Sequence, residues 1–203
     1  YRGAINHYVG MSHYFRLETQ GSGLYVSLSG QQAGEDFAAI NQPCARWHRD
    51  LITRAKAMDF TVILSLSYEL FNAHCWNDWK QRAENGDPAL TGWEPPSTLL
   101  SPANGSALGY LQAVAQAFVA IARQVGAAIR FQVGEPWWWI MPDKRICLYD
   151  KAARAAFGEA SVSIASIDGA KSVAQKAMLD LAGKLLARST ADLLAAVKKE
   201  AGA

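Results

Sequence analysis

Strand signals alternating with amphipathic helices constrain this chain more than any other feature. The run 24–29 (LYVSLS) alternates Leu24, Val26 and Leu28 with Tyr25, Ser27 and Ser29 between Gly23 and Gly30, as a short strand does. The run 60–66 (FTVILSL) is β-branched and almost continuously apolar, the pattern of a strand buried on both faces. The run 127–133 (AAIRFQV) reads as a third strand. Between the first two, Pro43 suits a helical first turn, and Trp47, Leu51, Ala55 and Met58 recur on one face. Before the third, Leu111, Val114, Phe118, Ile121 and Val125 carry a second amphipathic helix, stopped by Gly126. Three strands joined by helices predict βαβ units, a parallel sheet and right-handed crossovers.

The C-terminal part changes character. From Lys151 it is alanine-rich, and from Ser172 it is helical in pattern. Ser172 with Gln175 fits a capping box, and Ser189-Thr190 with Asp192 marks a helix restart. Ala177, Leu181, Leu185, Leu193 and Val197 supply a face to bury.

Composition excludes several classes. With 50% hydrophobic and 19% charged residues, the chain has too much apolar content for disorder. A net charge of +2 and the lack of a Lys/Arg-rich run give no footprint for nucleic acid. No stretch approaches the ~18 apolar residues of a membrane span. No glycine pattern cradles a phosphate, and His7, His13, His48 and His74 lack metal-ligand spacing, so no cofactor and no metal are expected. His7 and His13 read as packing or hydrogen-bonding residues. Cys44, Cys75 and Cys147 form no CxxC pair, which makes reduced thiols the default. The chain opens at Tyr1, and residues 1–14 already offer Tyr1, Ile5, Tyr8, Val9, Met11 and Tyr14 for burial. A piece of a longer polypeptide is expected.

In parallel βα architectures, ligands bind where the strands end. Two strand ends are richly furnished. After 60–66 comes a long connection, 69–106, with Glu69, Asn72, His74, Cys75, Trp76, Asn77, Asp78, Trp79, Trp93 and Glu94. After 127–133 comes Gly134-Glu135-Pro136-Trp137-Trp138-Trp139. Indoles beside carboxylates suit a sugar, whose apolar ring face packs on tryptophan while its hydroxyls need acids and amides. Trp76, Trp93, Trp137 and Trp139, with Asn72, His74 and Asp78, form the expected binding set. The alternative is that the tryptophans pack a large loop against the sheet end, with Trp138 in the core while its neighbours line a cleft. Glu135 is the sharpest residue. A carboxyl group at a buried strand end among indoles is poorly hydrated, which raises its pKa and suits a general acid. Against this stands a structural pairing of Glu135 with Arg130, Arg145 or Lys144. Glycosidic cleavage needs a second carboxylate, ~5–5.5 Å away for retention or ~6.5–9.5 Å for inversion. Glu69 and Asp78 are the nearby candidates.

Gly134-Glu135-Pro136 after a strand resembles the Asn-Glu-Pro at the fourth strand of the (β/α)8 clan of retaining glycosidases. That resemblance implies Glu135 as acid/base, and Gly134 departs from it where the clan holds the substrate with Asn. A wider resemblance rests on four runs: Asn6-His7-Tyr8-Val9-Gly10-Met11-Ser12-His13-Tyr14, Ser65-Leu66-Ser67-Tyr68-Glu69-Leu70, Thr91-Gly92-Trp93-Glu94-Pro95-Pro96-Ser97, and Gln132 to Trp139. They resemble a glycosidase-like TIM-barrel domain of large tail proteins of tailed bacteriophages and gene-transfer agents.

The fold class this implies is α/β: part of a (β/α)8 TIM-like barrel with parallel strands, plus a C-terminal helical segment. Residues 1–150 would be the partial barrel with the Trp-rich loop 69–106, and 151–203 a barrel-associated helical segment. The remaining strands, and any second catalytic carboxylate, would lie beyond Ala203. The function implied is a virion protein of the phage tail, sheath-like or host-contacting, oligomeric with other tail subunits and able to bind bacterial surface glycan. The alternative is an active retaining glycoside hydrolase on bacterial polysaccharide, with Glu135 as acid/base and Glu69 as the weaker second carboxylate.

Overall fold

The apolar run at Phe60–Ser67 is the middle of a three-stranded parallel sheet. The computed structural model describes residues 3–9, 15–20, 23–28 and 39–202, with 15–20 and 23–28 described by their backbone alone. In chain order the elements are β1 (Gly3–Tyr8), β2 (Phe15–Gln20), β3 (Gly23–Leu28), α1 (Gln42–Ala57), β4 (Phe60–Ser67), β5 (Glu69–Phe71), β6 (Ser97–Leu99), α2 (Gly105–Val125), β7 (Arg130–Gly134), α3 (Lys151–Phe157) and α4 (Val173–Ala201). The parallel sheet has the order β1-β4-β7, with Tyr8 opposite Ser65 and Ser67 opposite Gly134. Val62, Leu64 and Leu66 of β4 are buried, at two-residue spacing on one face. Ser65 and Ser67 share the other face.

The first strand of this sheet is Gly3–Tyr8, not the LYVSLS run. Residues Gly23–Leu28 pair antiparallel with Phe15–Gln20 instead. Alternation marks a strand but does not say with which partner it pairs, and FRLETQ alternates too. Tyr1, Met11, His13, Tyr14, Gly21, Ser22, Ser29 and Gly30 lie outside the described residues.

Helix α1 starts where its signals say. Asn41 Oδ1 accepts the Cys44 N–H at 2.8 Å, and Pro43 sits in the first turn. Arg54 and Lys56 lie in its last turn, where cations oppose the helix dipole. Its buried face is Cys44, His48, Ile52 and Ala55, whereas Trp47 and Met58 are 54% and 67% exposed. The expected stripe is therefore rotated, because polar His48 takes the inward position. Helix α2 buries Leu111, Val114, Phe118 and Ile121 and ends at Gly126, whose φ of +65° suits glycine. By length and composition α2 could cross a membrane, contrary to the sequence expectation. Half of its most apolar window is buried within the chain, as in the core helix of a folded domain. The third strand begins at Arg130, later than expected.

Two compact units are resolved. The first comprises Tyr1–Ser67, Tyr110–Gly134 and Leu193–Ala203, and the second comprises Tyr68–Gly109 and Glu135–Asp192. In the second unit, the long connection is structured. β5 and β6 pair antiparallel, and Asn72–His74 and Asn77–Trp79 form 3-10 turns. One cluster there joins Ile146, Leu148, Tyr149, Ala153, Phe157, Ile164, Met178 and Ala182. Asp150 caps α3 through Oδ1, which accepts from Ala152 N and Ala153 N. Ser172 and Gln175 form the expected reciprocal capping box, at 3.0 and 3.2 Å.

No restart interrupts α4. Ser189 and Thr190 donate their hydroxyls back to the Leu186 carbonyl inside one continuous helix, which removes their competition with the backbone. Its buried positions are Met178, Ala182, Ser189, Leu193 and Val197, while Ala177 and Leu181 are exposed. All three cysteines are buried free thiols, pushed up by burial to about 11 for Cys44 and about 12 for Cys75 and Cys147.

Candidate functional site

Strand β7 ends at Gly134, and its geometry decides what can stand there. A Cβ on Gly134 would lie 2.8 Å from Ser65 Oγ and 3.6 Å from the Leu66 carbonyl oxygen. The side-chain space that the glycosidase pattern gives to Asn is thus occupied by the neighbouring strand. Gly134→Ala is expected to destabilise the protein by about 1–3 kcal/mol through overpacking. Adding Ser65→Ala should recover most of that loss, because it removes the colliding oxygen. Urea unfolding of both single variants and the double variant measures this coupling. Additive losses would show that the Ser65 contact is not the cause.

Glu135 follows with a φ of +52°, a left-handed backbone that an L-residue adopts at a cost. Its side chain is exposed, so the burial expected of it does not occur. Arg145, one of its expected partners, is held by Asp87 and Asp143 at 2.7 Å each. Among the described residues no ion pair reaches Glu135.

Burial belongs instead to Glu69. Strand β5 carries it inward, to 6% exposure. Burial raises its carboxyl above the usual carboxylate range, a hydrogen bond with Ser97 lowers it, and the negative charge of Glu135 raises it again. The two carboxylates singled out in the sequence therefore feel each other's charge.

The other expected residues are spread over distinct tasks. Trp76 is half-buried and stacks on buried Trp79, with ring centroids 4.4 Å apart. Asn72 receives two hydrogen bonds from Lys80 Nζ, at its carbonyl and its Oδ1, both 2.9 Å. His74 and Asp78 are exposed, and the Asp78 carbonyl accepts from Asn104. Trp93 is 52% exposed and donates its indole N–H to Ser97 Oγ at 3.2 Å.

The three consecutive tryptophans separate by role. Trp137 is 45% exposed. Trp138 packs against the Phe157 and Met178 cluster and donates to the Ala182 carbonyl at 2.9 Å. Trp139 packs on Ala83, Ala89, Leu99 and Cys147.

One residue the sequence did not flag holds this region together. Gln81 is fully buried. Its Nε2 donates to the carbonyls of Leu100 and Trp137, both at 3.0 Å, and its Oε1 accepts from Trp139 N at 2.7 Å. A lone glutamine between Lys80 and Arg82 carries no local signal of this. Its partner Trp139 is 58 residues away.

A family model described as the TIM barrel of the non-contractile tail sheath protein matches residues 1–203. No curated protein and no solved structure matches the chain.

Proposed function

Because the chain belongs to the family of TIM-barrel domains of non-contractile tail sheath proteins, components of the phage virion tail, we propose that it is a structural domain of the tail and acts through assembly with other tail subunits. The match across residues 1–203 carries this reading. The packing of the strand-end region supports a scaffold. Trp79, Trp138 and Trp139 serve the interior of their unit, Gln81 staples the chain around them, and Gly134 stands where a substrate-holding side chain would have to be. Immunogold electron microscopy with antibodies raised against this chain tests it on intact virions. Labelling along the tail is the expected result, and label confined to capsids or to free protein would overturn it.

A second reading is a glycan-binding or glycan-cleaving barrel. The observation in its favour is the raised, buried Glu69 within electrostatic reach of Glu135, whose left-handed backbone is strained. Half-exposed Trp93 and Trp137 would then be its sugar platforms. Reducing-end release from host polysaccharide, lost about 10²–10⁴-fold in Glu135→Gln, would establish it. Release that is absent, or equal in the variant, leaves the structural reading alone.

A further inference from the structure

In the first unit, His7 of β1 faces His48 of α1 with their Nε2 atoms 3.0 Å apart. The protons of this pair can be assigned by elimination. His48 Nδ1 lies 2.7 Å from the Cys44 carbonyl oxygen, which can only accept, so Nδ1 carries a hydrogen. A neutral His48 then has a bare Nε2, and the hydrogen in the 3.0 Å contact belongs to His7 Nε2. One added proton leaves this bond intact, because an imidazolium can donate across it in either direction. A second added proton does not. It places two N–H groups, both on cations, head to head at hydrogen-bond distance.

We propose that His7 and His48 form an acid-sensitive latch, which ties strand β1 to helix α1 while a single hydrogen lies between their Nε2 atoms and releases β1 when both rings are charged. The surroundings suit such a device. Phe118 of α2 packs edge-on to His48 with centroids 4.6 Å apart, and Trp47 lies 4.9 Å from His48 and 5.2 Å from His7. Among the described residues the titratable groups facing the pair are each other and Cys44, whose Sγ is 3.4 Å from His48 Nδ1 and whose thiol burial keeps neutral. Arg46, Arg49 and Asp50 on the same helix are exposed, and Arg49 is bound to Gln124. No described ion pair involves either imidazole. On the other side, His7 sits opposite Leu64 of β4. Among the described residues β1 pairs only with β4, with side-chain bonds from Asn6 to Gln132 and between Tyr8 and Ser67, and the latch ties this edge strand to α1 as well.

The sign of the pH effect follows. Burial lowers both imidazoles below their ordinary value of about 6.5. The unfolded chain therefore binds more protons than the fold once the pH drops below about 6.5. Stability is complete above that value and declines below it, with the opening constant growing by up to about tenfold per pH unit for each imidazole. Buried Glu69 and Asp150 work in the opposite direction. Burial raises them in the fold, so acid favours the folded state through them.

The test is amide hydrogen exchange on the full chain at pH 7.5 and 5.5, corrected for intrinsic rates, in wild type and His7→Gln. The glutamine amide can donate to a neutral His48 or accept from a charged one, so it holds at both pH values. The wild type is expected to lose at least about tenfold protection in Gly3–Tyr8 at pH 5.5, and His7→Gln several-fold less, because only the buried His48 is left to titrate. Equal losses in both proteins, or none in the wild type, would overturn the proposal. Should His7→Gln fail to fold, nitrogen NMR of the wild-type imidazoles decides. Hydrogens on His7 Nε2 and His48 Nδ1 at pH 7.5 are required, and any other tautomer pair refutes the latch.

Discussion

Gln81→Leu is expected to destabilise the unit built from Tyr68–Gly109 and Glu135–Asp192 by about 3–5 kcal/mol, because it strands three backbone groups at once. The leucine has nearly the right shape but can replace none of the bonds to the Leu100 carbonyl, the Trp137 carbonyl and the Trp139 amide. Each buried backbone group left without a partner costs about 1–3 kcal/mol. The Trp137 and Trp139 contacts are only part-buried, which places the sum at the lower end of that range. Trp138 keeps its own bond to the Ala182 carbonyl, so the effect falls on the chain on either side of it. Freed of Gln81, that chain should lose the packing of Trp139 on Ala83, Ala89, Leu99 and Cys147. Urea unfolding followed by far-ultraviolet circular dichroism measures the loss, and the near-ultraviolet tryptophan signal should weaken before the main transition. A loss under about 1 kcal/mol would mean that Gln81 is a passenger.

Phe118→Ala is expected to cost about 3–5 kcal/mol in the first unit, the usual range for removing a fully buried phenyl ring. Phe118 is completely inaccessible and lies on the face of α2 that also buries Val114, Ala115 and Ile121. Its ring meets the edge of His48, so the cavity would also admit water beside that imidazole. Burial is the main reason why His48 titrates low, and hydration should return it toward its ordinary value. Thermal unfolding at pH 7.5 gives the stability change, and proton NMR titration of His48 gives the second effect. Phe118→Leu, which refills most of the volume, should cost less than half as much. Equal losses in the two variants would show that the ring's volume is not what matters there.

The consequences for function run through the same packing. A glycosidase reading needs the strand end after β7 to present a buried acid and a substrate-holding neighbour. The fold instead turns Glu135 outward on a left-handed backbone and closes the space beside Gly134 with Ser65. The acid held inside is Glu69, one strand end earlier. These features support the scaffold reading proposed above, and the tests on Glu135 separate it from a working enzyme.

Much of the local structure is legible in the chain itself. The FTVILSL run, the Asn41 and Pro43 start, the stop at Gly126 and the Ser172–Gln175 box each depend on neighbours within about four residues, where sterics and capping act. The motifs around Glu69, Trp93 and Glu135 likewise point to the tail TIM-barrel family that the whole chain matches. Tertiary structure alone decided the rest. Alternation shows that 24–28 is a strand but is blind to its partner, so the hairpin with Phe15–Gln20 and the parallel place of Gly3–Tyr8 emerge only on folding. The same holds for side chains whose role is a distant hydrogen bond. Gln81 reaches Trp139 across 58 positions and His7 reaches His48 across 41, and no local periodicity records either contact. Exposure of Glu135 and burial of Glu69 follow the same logic, because hydration is set by whatever the rest of the chain packs around a carboxylate.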